Sequence, residues 1–232
     1  MSPLAAIAVL VALLARSRGA RGARLGAAVA TSLISVALSL SVVQSWCATT
    51  LPRHMVEHVV VMFVIPLGAT VALSPRCRGP WWAPVVAINL VMVISHLPSV
   101  FDWLMLHDSW RQWIIEPSYV ALGVWFFSVV LAPHGIRFRW QLLSLLVTMA
   151  TMTTLAMAMS IFSQNLWYPS MESMPGMVME SDVASQHLAA AILWICGDVW
   201  AVPLIAYLFS RLSAREGGLL EAFDRYSDRS AL

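Results

Sequence analysis

The chain has 232 residues and a mass of 25.5 kDa, with 59% apolar residues, 11% charged residues and a net charge of +2. A soluble domain carries roughly 25% charged residues, so the polar groups here are too few to cover a water-facing surface. Together with a mean hydropathy of +0.76, this excludes a disordered chain and a nucleic-acid binder driven by bulk charge, and leaves a multispan membrane protein.

The first feature along the chain is a short apolar tract, Pro3 to Ala15. No positive charge precedes it, and Arg16, Arg18, Arg21 and Arg24 follow it. That order points to a retained first span rather than a cleaved leader. Six longer apolar stretches follow at about 26–47, 54–73, 81–98, 113–132, 141–162 and 186–209, each near the ~20 residues a helix needs to cross a bilayer. The run from Val59 to Leu73 is continuous and lacks the polar/apolar alternation of a barrel strand. The expected fold is an all-α, polytopic transmembrane bundle of seven spans, six long and a short first. It forms one domain over residues 1–210, with a charged tail over 211–232.

Orientation follows from the arginines. There are 14 basic residues, all Arg. All but Arg53 and Arg111 fall in alternate connections or the tail, and positive residues stay cytoplasmic. The N-terminus is therefore expected outside and the C-terminal tail inside. The longest outer connection, about 163–185, holds Glu172, Glu180 and Asp182 and no basic residue.

Ionisable residues in a span are expensive and mark candidate sites. His54 and His58, at i and i+4, share one helix face. His96 ends the next span at the same depth, and His187 begins the last. The methionines show the same bias, with eight of 13 between Met149 and Met179. Met157 and Met159 lie at the outer end of a span. Met171, Met174, Met177 and Met179 follow in the long connection. Imidazole with thioether favours Cu(I), a soft ion. The expected ligands are His54, His58, His96 and His187, with the six methionines as an entry path. Glu57 and Asp102 would orient the imidazoles by accepting their second N–H. Each signal has a plainer reading, since an HxxxH pair at a helix end also serves structure and Met is a gap-filling residue. Cys47, Cys77 and Cys196 share no depth, so no internal disulfide is expected. Asp198 is the one carboxylate deep in a span, with Asn89 as its expected polar contact.

His54-Met55-Val56-Glu57-His58 resembles the HMxxH motif that opens a span in the CtaG family of multispan bacterial cytochrome c oxidase assembly factors. His96-Leu97-Pro98-Ser99-Val100-Phe101-Asp102 resembles that family's H-x-P-x-x-F-D segment, and Trp167-Tyr168-Pro169 its L-Y-P element. Ser185-Gln186-His187-Leu188-Ala189-Ala190, followed by Ile192-Leu193-Trp194, resembles its DQxxAGxxxW segment, with Ser185 in place of the family's Asp. The resemblance covers about residues 40–210 in motif order. It implies a role in maturing a haem-copper oxidase at its copper centres, with oxidase subunits and the lipid bilayer as partners, other copper chaperones and a second copy as further candidates, and no nucleic acid. No bond-making on a substrate is implied, so the expectation is a non-enzyme. Two other classes stay open on the residues alone. One is a b-type cytochrome with a bis-His haem on His58 and His96 or His187. The other is a proton-coupled transporter built around Asp198 and Asn89.

Overall fold

The computed structural model describes residues 2–76, 79–132, 135–161, 166–168 and 182–216. The regular elements among these residues are helical. They run α1 (Pro3–Ser17), α2 (Ala23–Leu38), α3 (Ser41–Cys47), α4 (Leu51–Leu73), α5 (Trp82–Ser95), α6 (Pro98–Leu106), α7 (Arg111–Val130), α8 (Phe138–Ser160), α9 (Val183–Val199) and α10 (Ala201–Glu216). Four helices are long and apolar enough to cross a membrane: α4, α7, α8 and the stretch Val183–Ala214 formed by α9 and α10. Two bent pairs, α2 with α3 at 72° and α5 with α6 at 76°, bring the number to six if each pair is one span. The first apolar tract, α1, is shorter, at 15 residues.

The α4 helix is the centre of the bundle, touching α1, α2, α7 and α9. Local chemistry sets its start. The Thr50 side chain accepts from the Arg53 N–H, and a proline occupies the first turn, where its missing donor costs nothing. Met62 and Ile65 are fully buried, and Phe63 nearly so. Phe63 stacks on Trp200 at 4.5 Å between ring centroids. The neighbouring α7 contributes Tyr119, Phe126 and Phe127, also fully buried. At Gly123 a Cβ would lie 2.6 Å from Cβ and Cγ of Pro66, so glycine is what lets α7 close onto α4.

Both α4 and α7 contain a π-helical turn, Val60–Val64 and Arg111–Ile115, and each turn is followed two residues later by a proline, Pro66 and Pro117. Proline cannot donate to the carbonyl four residues back and its ring crowds that carbonyl. A wider i→i+5 turn moves the crowding away.

Arginines close the far end of α4. Arg18 donates to Leu73 O at 2.6 Å and Arg24 to Ala72 O at 3.2 Å. Arg211 donates to Ala132 O, just beyond α7, at 3.2 Å. Leu73 O and Ala72 O are the last carbonyls of α4, which have no partner within it and carry the negative end of its dipole. His54 and His58 sit at the opposite end of α4. From His58 to Leu73 the helix rises about 22 Å, so the histidine end and the arginine end are opposite ends of the bundle. Asn89 donates to Val85 O at 2.7 Å and to Thr148 Oγ1 at 3.0 Å. It joins α5 to α8 in this way rather than pairing with Asp198.

Candidate functional site

Three histidines from two chain segments meet at the end of α4 opposite Arg18 and Arg24. His54 and His58 lie one turn apart on α4, with ring centroids 6.1 Å apart. His96 occupies the corner between α5 and α6. That corner exists because Pro98 starts α6, forcing Leu97 before it out of the helical region. The His58 and His96 rings meet edge to face at 4.8 Å, and His58 meets Tyr119 in the same manner at 4.8 Å. These rings line a cavity of about 30 Å³, together with Met55, Glu57, Met105, Arg111 and Glu116 and the apolar Val61, Phe101, Leu104 and Ile115.

The imidazoles are held in different ways. His96 Nδ1 lies 2.7 Å from Met92 O. A carbonyl oxygen only accepts, so Nδ1 carries the hydrogen and the neutral ring keeps its lone pair on Nε2. Ser95 Oγ bonds the Tyr119 hydroxyl in a short contact and lies 3.3 Å from His96 Nδ1. The backbone of His96 is gripped as well: its carbonyl accepts from Trp167 Nε1 at 3.1 Å and from the Tyr168 hydroxyl at 3.3 Å. Burial pushes the Tyr168 hydroxyl pKa up, so it stays a donor across the physiological range. Tyr168 also stacks on Phe101 at 3.9 Å. His58 Nε2 is buried and has no hydrogen-bond partner among the described residues.

Charge enters from α4 and α7. Arg111 sits between two buried carboxylates, 2.8 Å from Glu116 Oε1 and 4.0 Å from Glu57 Oε2. Glu57 Oε2 is 3.8 Å from His54 Nδ1, beyond hydrogen-bond length. Arg111 and Glu116 are five residues apart. On an α-helix that spacing places them on different faces. Across the π turn the Glu116 N–H donates to Arg111 O, and the two side chains come together.

The structure thus brings together His54, His58, His96 and Glu57 of the expected set. His187 is exposed on α9 and outside the cavity lining. The buried residue there is its neighbour Gln186, which accepts from the Trp167 N–H and donates to Met159 O at 2.7 Å. Met157 is half-buried and Met159 fully buried on α8, and neither lines the cavity. Asp102 is half-buried on α6, where its charge acts on Tyr168. Met171, Met174, Met177 and Met179 lie outside the described residues, as does Cys77. Sequence reasoning passed over Met55, Met105, Arg111, Glu116 and Tyr119. Met55 lay in plain view inside the HMxxH motif, and a lone Arg five residues before a Glu at a span entrance was a readable signal. Among the described residues, no three His, Cys, Asp or Glu side chains are grouped so as to hold a metal ion.

No curated protein and no solved structure matches the chain. The family model described as cytochrome c oxidase caa3 assembly factor (Caa3_CtaG) matches residues 6–215. This range takes in the HMxxH turn of α4, the His96 corner, the Trp167-Tyr168 clamp on it and the Gln186 anchor. The chain belongs to the caa3 cytochrome c oxidase assembly factor family.

Proposed function

We propose that the protein holds Cu(I) as cargo in the His54–His58–His96 cavity, on the extracytoplasmic side of a bacterial plasma membrane, and passes it towards a copper centre of the oxidase during assembly. The observation that carries this reading is the pair His58 and His96. One offers a buried Nε2 without a partner. The other has its Nδ1 committed to Met92 O, which aims the basic nitrogen at the cavity's contents. Cu(I) accepts two or three ligands, and thioether sulfur serves it well; Met55 and Met105 line the same cavity. The arginine-rich end opposite supports the extracytoplasmic placement.

In this scheme the chain's own residues bind and orient. His58 and His96 are the core ligands, and His54 stands one turn above them. Ser95, Tyr119, Trp167 and Tyr168 hold the His96 corner in place. The methionines Met171, Met174, Met177 and Met179, which lie outside the described residues, would hand the ion over by ligand exchange. His187 drops out of the ligand set.

The test is copper per protein after purification of the full chain from copper-supplemented membranes. The variant His58→Ala/His96→Ala should lose its copper and His187→Ala should keep it. Equal loading of wild type and the double variant would remove the site.

A further inference from the structure

We infer that Tyr119 is a positioning residue for the histidine cavity, tying the rings of His58 and His96 into one preorganised pair of ligands; the inference rests on the reading of that cavity as a copper site. Tyr119 and Ser95 are buried side chains on α7 and α5. The direction of each hydrogen bond around them follows from the groups involved. At the end of α5 the His96 N–H bonds Val93 O at 3.2 Å, the tightened last turn of a helix. The carbonyl of Met92 is taken by side chains: it accepts from His96 Nδ1 at 2.7 Å and from Ser95 Oγ at 3.0 Å. A carbonyl oxygen only accepts, and a serine hydroxyl has one hydrogen. Ser95 therefore commits its hydrogen to Met92 O and accepts in its short contact with Tyr119. The Tyr119 hydroxyl donates to Ser95, Ser95 donates to Met92 O, and His96 Nδ1–H donates to the same carbonyl.

The ring of Tyr119 acts on the other ligand. It meets the His58 ring edge to face at 4.8 Å with an interplanar angle of 86°, and His58 meets His96 at 4.8 Å and 72°. Edge-to-face contact is directional, because the positive edge of one ring faces the negative face of the next. His58 thus stands between Tyr119 and His96, and the circuit closes through Ser95. Four side chains from α4, α5 and α7 hold one another. Phenylalanine at this position would keep the contact with His58 and lose the link to Ser95. A serine would reach neither ring. Tyrosine supplies both, because its rigid ring carries the hydroxyl on the far end. The two imidazoles are therefore oriented before the ion arrives, and the protein rather than the metal sets the ligand geometry.

The experiment uses the full chain purified in detergent and kept reduced. Cu(I) affinity is measured by competition with a chromogenic chelator, and saturated samples are examined by copper K-edge X-ray absorption. Loss of a group that orients a metal-binding histidine lowers affinity by about 10–100-fold. Tyr119→Phe should therefore weaken Cu(I) by about tenfold or more, with helix content unchanged by circular dichroism. Its outer-shell imidazole scattering should be weaker than in wild type, a change that a merely structural role would not produce. Ser95→Ala breaks the same chain from α5 and should cause the same loss. The double variant should lie within about threefold of either single one, because groups acting as one unit do not add. An affinity or a scattering pattern indifferent to Tyr119→Phe, or losses that add in the double variant, overturns the inference and leaves the copper site standing. A wild-type chain that binds no Cu(I) overturns the copper site itself, and the inference with it.

Discussion

The contact between α4 and α7 at Gly123 can be tested by a single methyl group. In Gly123→Ala the new Cβ would lie 2.6 Å from Pro66 Cβ and Cγ and 3.1 Å from Met62 O. Carbon atoms rest at about 3.5–4.0 Å, so α7 must retreat from α4 by about 1 Å. The proline ring has no rotamer through which to swing aside. Overpacking of this kind costs about 1–3 kcal/mol. In a chain of this size each kcal/mol lowers Tm by about 2–4 °C, so a fall of about 2–12 °C is expected. Tyr119 lies one turn before Gly123, and the retreat should also part its hydroxyl from Ser95. Gly26 on α2 is the control. A Cβ there meets nothing within 4 Å, and replacing a helical glycine by alanine gains about 0.5–1 kcal/mol. Gly26→Ala should therefore melt slightly above wild type. The assay is thermal unfolding of the detergent-solubilised chain by circular dichroism. If Gly123→Ala melted with or above wild type, the close approach and the role assigned to glycine would be wrong.

Two further substitutions probe the clamp on His96. Gln186→Met keeps the volume but leaves the half-buried Trp167 N–H and the buried Met159 O without their side-chain partner; the expected loss is about 1–3 kcal/mol, read as a lower Tm. Tyr168→Phe removes one of two donors to His96 O, with Trp167 Nε1 still in place, so it should cost no more than about 1.5 kcal/mol and leave metal retention intact. A Tyr168→Phe chain that lost its metal would show that the hydroxyl does more than brace the corner.

Much of the fold was legible because apolar length is a direct physical requirement of a bilayer. The stretch expected at 54–73 is the helix Leu51–Leu73, and that expected at 113–132 is Arg111–Val130. The sharp bends were harder to read. The stretch at 81–98 runs into α6 through a 76° turn, and that turn, made by Leu97 and Pro98, puts His96 at a corner rather than at the end of a straight span. Depth was readable for the histidines, but the direction in which each side chain points was not. His187 matches His54 and His58 in its position near a helix start, yet it is exposed while Gln186 is buried. One residue is a turn of 100° on a helix, and the apolar run that follows His187 does not select between the two polar neighbours.

The pairing of Arg111 with Glu116 was passed over for a physical cause. Periodicity arguments extrapolate at 3.6 residues per turn, and each π turn inserts an extra residue into that count. In α4 the insertion follows His58, so the motif rotates as a unit relative to the core residues Ile65 and Ala69 below it. In α7 it lies between Arg111 and Glu116, so a pair with no helical spacing becomes an ion pair of 2.8 Å. Both insertions sit two residues before a proline, at the histidine end of the bundle. Pro66 and Pro117 are therefore the local reason the π turns are there. They cost each helix a regular hydrogen bond and in return turn its first residues towards one another. Without the turn in α7, Arg111 and Glu116 would lie on different faces of a regular helix, and the guanidinium would not meet that carboxylate at 2.8 Å.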